Sequence, residues 1–410
     1  MRILNFNHYN YHELNAMNLL TIQDSFEEVI SDIQNGRLEQ DKFWVARRSI
    51  ESEENQDFWY INVTKQGMKD DANKIKFLCG KDKKYQLQVD GKIYNLQSFY
   101  RKVNLANNRI SSVTVSSDSE RLIVGTKKGE LIIYNLRTDT VEQKIPEAHF
   151  EDITILKIFP SNKVVMSVGI DLKIKLWGLT GELVRTMSNQ VKEITDIGLL
   201  GKTGRNFISG SKDGSIDMWE CGQGQVIYSF KRIQNNNDPV NCFVLGRHES
   251  TGSKLSELEI ETENQCVYVG FDSGIIQQFN IGDHCQTRVR FEDGNAGVSS
   301  IDISEKLLVS GYNNGQLKVW DIIGENMIFK YQLNPHFPIS TLKVLHRQDD
   351  TITVLVYNGP ETLLKLRIDL KSEVVNQTYL IGMEENFSVH DVALNKDNII
   401  IASDQLTVYK

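Results

Sequence analysis

Residues 205–230 read RNFISGSKDGSIDMWECGQGQVIYSF, and one hairpin inside them decides the fold. Gly210 and Gly214 stand nine and five residues before Trp219, with Lys212-Asp213 as a polar tip between them. A turn that needs positive φ selects Gly, Asn and Asp, so two β-prone runs meet here in a tight hairpin. The same pair of glycines precedes three more anchors at the same distances: Gly125 and Gly129 before Tyr134, Gly270 and Gly274 before Phe279, Gly311 and Gly315 before Trp320. The tips there are Lys127-Lys128, Asp272-Ser273 and Asn313-Asn314. Flanking segments such as 122–124 and 131–134 read as the second and third strands, b and c, of a repeated unit.

With Trp177, Leu366 and Tyr409 added, the anchors Tyr134, Trp177, Trp219, Phe279, Trp320, Leu366 and Tyr409 are separated by 43, 42, 60, 41, 46 and 43 residues. Self-similarity at about 40–45 residues marks the four-stranded blade of a propeller. The second repeat adds His149, Ser167, Asp171 and Trp177, which look like the hydrogen-bonded tetrad of WD-repeat proteins. A buried carboxylate and an indole N–H each need a partner, and His with Ser can relay between them. A His, Ser and Asp could also form a hydrolase triad, but the blade staple is the reading preferred here. Ser209 and Ser310 hold the equivalent place ten residues before Trp219 and Trp320. The expected fold is therefore an all-β seven-bladed WD-repeat β-propeller with a small N-terminal α+β domain.

Each repeat supplies strands a, b and c, with d following, yet the sequence stops one residue after the seventh anchor. An unpaired edge closes a ring weakly, so a strand within 92–104 is expected to complete blade seven. The propeller is then assigned to 92–410 and the α+β domain to 1–91. In that domain Ser25 and Glu28 have capping-box form, and Phe26, Val29, Ile30 and Ile33 recur at helical spacing. Strands are expected at 43–46, 58–63 and 75–78, followed by a hairpin turning at Asp90-Gly91. Its second strand, 92–96, is a candidate for the propeller's missing one. The first proline is Pro146, whereas an F-box opens on Leu-Pro and runs as helices, so that adaptor module is not expected.

The 60-residue interval places an insertion at 246–264, between strands a and b of blade four; polar and aperiodic, it reads as a protruding loop. Gly201-Lys202-Thr203 echoes the end of a phosphate-binding loop, but Asp196 stands where that pattern needs its first glycine. The eight histidines show no HExxH and no Cys/His cluster; His8 and His12 are four apart without a third ligand near in sequence. Neither metal nor cofactor is expected, and no enzyme. Cys79, Cys221, Cys242, Cys266 and Cys285 are odd in number and lack CxxC spacing, which suits a reducing compartment, cytoplasm or nucleus. No run of about 18 apolar residues predicts a membrane span. Net charge is −8, with 54 acidic against 46 basic side chains, and that balance opposes general nucleic-acid binding.

Residues 147–161, EAHFEDITILKIFPS, and the stretch quoted first resemble the proteasomal ATPase-associated factor family of assembly chaperones. The ending Trp219-Glu220-Cys221-Gly222, where most WD repeats continue with Asp, is the most specific part of the likeness. The resemblance implies a non-catalytic protein, monomeric in isolation, that binds the C-terminal domain of a proteasomal AAA ATPase subunit, or a base subcomplex. It would assist assembly of the regulatory-particle base. The family's Gly-His ahead of strand a is Ala148-His149 in blade two and Asn189-Gln190 in blade three. A different WD-repeat scaffold, such as a peptide-reading adaptor of a ubiquitin ligase, is the alternative. In a propeller the d–a and b–c turns share one face. Glu147, Glu151, Asp152, Glu193, Asp213, Asp272, Glu292, Asp293, Glu384 and Glu385 fall on it and would present an acidic rim to a basic partner. Apolar anchors among these turns are expected, though the sequence does not pick them out.

Overall fold

The tip glycines Gly129, Gly214, Gly274 and Gly315 have φ between +71° and +85°. A Cβ at Gly129 would stand 2.2 Å from the carbonyl oxygen of His149, so the loop above the turn also demands glycine. The computed structural model describes residues 18–49, 56–70, 75–103, 105, 109–250, 256–294, 296–360, 362–383, 387–396 and 398–410. Within them every anchor lies on the third strand of its blade, and every blade but the sixth is a four-stranded antiparallel sheet. In blade three, for example, Ser209 sits opposite Asp217 and Phe207 opposite Trp219. Blades one to six run from Ile110 to Ile145, Ile153 to Met187, Ile194 to Phe230, Val240 to Phe291, Val298 to Gln332 and Thr341 to Ile381, and blade seven begins at Asp391.

The innermost strands pack side by side from blade one through to blade six, and that of blade seven lies against that of blade one. Aspartates on these strands bridge to the next blade. Asp196 accepts the Phe243 amide at 3.2 Å, Asp302 that of Val344 at 2.7 Å, and Asp391 that of Val113 at 2.9 Å, the last across the point of closure.

The N-terminal unit comprises β1 (Asn18–Ile22), α1 (Phe26–Gln34), β2 (Gln40–Ser49), β3 (Gln56–Thr64), β4 (Gly67–Asp70), β5 (Ile75–Cys79), β6 (Lys84–Val89) and β7 (Lys92–Ser98), with β8 (Arg101–Val103) after it. The apolar stripe of α1 puts Phe26 edge-on to Phe77 and Tyr85 and against Phe43, forming one core with blades five and six. Glu27 in its first turn binds Lys83 Nζ at 2.7 Å and the Tyr85 hydroxyl at 2.6 Å. Ser25 makes no side-chain cap; its hydroxyl accepts from Gln23 Nε2 at 2.8 Å, so the capping-box expectation fails.

The hairpin turning at Asp90-Gly91 does join the two parts of the chain, but its second strand is not the one that completes blade seven. β7 pairs in parallel with 374–381, the outer strand of blade six, and extends that blade into a seven-stranded sheet, β5 at its edge. β8 pairs antiparallel with Leu406–Tyr409 of blade seven, Val103 opposite Leu406 and Arg101 opposite Val408. A parallel partner needs no tight turn, which is why the sequence reading, built on hairpins, missed this pairing.

The blade-four insertion departs from expectation as well. Of its described residues, 246–247 continue strand a, and 256–264 fold back on blade three instead of protruding. Buried Asn206 donates to the Leu258 carbonyl and accepts from the Ile260 amide. The Glu261 carboxylate receives the Lys202 and Thr203 amides and the Thr203 hydroxyl, each at 2.8 Å. The turn that echoes a phosphate loop thus holds an anion, but the anion is the chain's own side chain.

Candidate functional site

The d–a and b–c turns are hydrogen-bonded to one another blade after blade. Lys127 N donates to Arg109 O, Ile170 N to Asp152 O, Lys212 N to Glu193 O, Asp272 N to Pro239 O and Asn313 N to Gly297 O. These bonds weld the turns into one continuous face, while the blade-four insertion lies on the opposite face with the a–b and c–d turns.

Beneath the face sits the blade-two relay. His149 Nδ1 is 2.9 Å from Asp171 Oδ1, His149 Nε2 is 2.7 Å from Ser167 Oγ, and the Trp177 indole donates to that oxygen at 2.9 Å. The assignment that satisfies every group has indole donating to Ser, Ser to Nε2, and Nδ1–H to the carboxylate. Burial, the larger influence, pulls the His149 pKa below its ordinary value despite Asp171 beside it. Ser167 is fully buried, so no substrate carbonyl can reach its oxygen and the triad-like set staples the blade. In blade three Gln190 replaces histidine: Ser209 accepts from Trp219 at 2.8 Å and donates to Gln190 Oε1 at 2.9 Å.

The candidate acidic residues divide by what already holds them. Asp213 accepts the Ser215 and Val191 amides at 2.9 and 3.1 Å. Burial raises its pKa, but these and neighbouring hydrogen bonds outweigh it and leave the carboxyl below the usual range. Asp293 is raised by burial and lowered more by Lys318 and Lys330, at 3.2 and 3.4 Å. Glu292 pairs with Arg290. Asp152 is half-buried, and Asp272 is exposed with Asn241 3.3 Å away. Glu147, Glu151 and Glu193 are exposed and in no ion pair among the described residues. Glu384 and Glu385 lie outside the described residues. The same turns carry Lys127, Lys128, Lys173, Lys192, Lys212 and Lys231, so the face is mixed in sign, with its unpaired glutamates gathered at blades two and three.

Among them stand three apolar side chains that the sequence reading did not identify. Phe150, Val191 and Ile233 are 84, 77 and 78 % exposed, one on each d–a loop leading into blades two, three and four. Each directly follows a buried polar residue bonded into its blade: His149, Gln190 and Arg232. Arg232 binds Asp238 at 2.8 Å with both side chains almost wholly buried, and it lies over the Phe271 ring. Anchors on immobilised stems lose little entropy on binding, the property that makes an exposed apolar residue a strong contact. Their spacing of 41 and 42 residues follows the blade period, and that period was the signal available in the sequence.

Comparison with known proteins agrees with the architecture. The WD domain, G-beta repeat family matches residues 286–321. The chain is 29 % identical over 348 residues to the 26S proteasome regulatory subunit RPN14 of Saccharomyces cerevisiae, covering 76 % of this chain and 83 % of the relative. It is 22 % identical over 231 residues to the COMPASS component SWD3 of the same yeast, covering 54 % of this chain and 67 % of that one. The solved structure of U3-55K superposes with a TM-score of 0.58 at 14 % identity over 75 % of this chain and 97 % of that one, a likeness of fold alone.

Proposed function

We propose, from the premise that this chain is a WD-repeat β-propeller protein, that it works without catalysis as an assembly chaperone. In this reading it holds the C-terminal domain of a proteasomal AAA ATPase subunit on the d–a face and assists assembly of the regulatory-particle base, in cytoplasm or nucleus. The observation that carries the reading is the arc of Phe150, Val191 and Ile233 set among the unpaired carboxylates of Glu147, Glu151 and Glu193. Similarity to a proteasome regulatory subunit over three quarters of the chain supports the choice of partner. The free thiols of all five cysteines accord with a reducing compartment.

The two kinds of contact divide the labour. Exposed glutamates attract a basic domain from a distance and fix its register, an effect that salt screens beyond about 8 Å at physiological strength. The apolar knobs supply affinity once desolvated, at about 1–2 kcal/mol or more for each that proves a hot spot. The complementary partner surface is an apolar groove rimmed by Lys and Arg.

The test is titration of each isolated ATPase C-terminal domain against the full chain over a salt series. One domain should bind, with an association rate that falls as salt rises. F150S/V191S/I233S should weaken that binding at least about 30-fold at any salt. Binding to none of the domains, or to ligase subunits instead, would transfer the face to the adaptor reading.

A further inference from the structure

The sheet β1–β4 turns one face to α1 and the other away from it. Leu20, Phe43, Val45, Ile61 and Val63 fill the inner face. Alternation along the strands places Lys42, Trp44 and Arg48 of β2, Phe58 and Tyr60 of β3 and Lys69 of β4 on the outer face. The register agrees, with Trp44 opposite Tyr60, Lys42 opposite Asn62, and Asn62 opposite Lys69. Trp44 and Phe58 stack at 5.7 Å and 22°, and Phe58 meets Tyr60 edge-on at 5.1 Å. Phe58 and Tyr60 are 48 and 41 % exposed.

Charge on this sheet is sorted by face. Its acids, Asp41, Asp57 and Asp70, all have the parity of the inner face, and Asp57 is bound there by Arg47 at 2.6 Å. Among the described residues of these strands the only charged side chains with outer-face parity are Lys42, Arg48 and Lys69, beside the rings, the buried Leu19 and Ala46, and uncharged polar residues such as Thr21 and Asn62. A chain of net charge −8 here presents an aromatic slab edged with positive charge. Single-stranded nucleic acid would need free ring faces for its bases. Trp44 and Phe58 cover one another, and Lys42 Nζ sits 4.4 Å from the centroid of Tyr60, so those faces are largely taken. Ring edges and aliphatic stems suit apolar side chains, and the cations suit carboxylates beside them.

We propose that this outer face docks an acidic peptide segment of a partner protein, one carrying apolar side chains between its carboxylates. The surface belongs to the N-terminal unit, joined to blade six, and acts independently of the d–a face. The full chain should be panned against 12-residue peptides built from Asp, Glu, Leu, Phe and Gly, beside a matched library with Lys replacing the acids and a 12-nucleotide oligouridylate. Acidic peptides should be enriched. F58S/Y60S and K42E/R48E/K69E, both at exposed positions and melting as the wild type does, should each weaken the best binder at least about tenfold. F150S/V191S/I233S should leave it unchanged. Equal recovery of both libraries, or binding indifferent to both sheet variants, would overturn the proposal. Preference for oligouridylate would give the face to nucleic acid instead, and binding seen only when residues 1–17 are removed would give it to the chain itself.

Discussion

At the scale of single residues, chemistry that spacing reveals differs from chemistry that only geometry reveals. His149, Ser167, Asp171 and Trp177 were legible because a relay in a periodic sheet must recur at fixed offsets. The neutralisation of Asp293 was not, since Lys318 and Lys330 reach it from other strands. The relay makes two predictions. S167A leaves the Trp177 indole and His149 Nε2 without their shared partner in a dry site, and should cost about 1–3 kcal/mol in denaturant unfolding. A histidine whose folded pKa is depressed binds a proton more readily when unfolded, so its contribution is present above the unfolded value near 6.5 and is lost as pH falls below it. The melting temperature should therefore drop between pH 7 and 5.5. H149Q, which borrows the Gln190 solution of blade three, should show a shallower drop than the wild type.

Among elements, local pattern predicts strands and turns well and their long-range use poorly. The tip glycines, the apolar stripe of α1 and the Asp90-Gly91 hairpin were all readable, because each is decided within about ten residues. β1 and β4, five and four residues long, were missed because they are held by neighbours more than by their own composition. The insertion was misread for a related reason: its polar residues are satisfied by groups on blade three, and nothing in 256–264 names them. N206A should strand the Ile260 amide and lower stability by about 1–3 kcal/mol, measured by thermal unfolding. On the d–a face, R232M would leave buried Asp238 uncompensated, at about 3–5 kcal/mol. It should also weaken ATPase-domain binding beyond the effect of I233S alone, because the stem of the anchor is lost with it.

For the molecule as a whole, the interval between anchors was enough to give the blade count, and the strand lacking from blade seven pointed to a partner within 92–104, while which residues pair there had no local signature. β8 carries three residues, and all three of its pairing partners lie about three hundred positions further along the chain, with no turn to announce them. K102P, at an exposed site in β8, should break the seam without touching a core side chain. Its unfolding midpoint should fall, and hydrogen exchange should rise in Leu406–Tyr409 before it rises in blade three. The seam has a temporal meaning too. Residues 92–103 leave the ribosome before any of the blades, but their partners at 374–381 and 406–409 follow only about three hundred residues later, so blades six and seven cannot be finished when the others are. Contacts this distant in sequence form slowly. During synthesis the outer edges of the last two blades therefore wait as open templates, and the half-built ring is itself a client for the kind of protection this protein is proposed to give others.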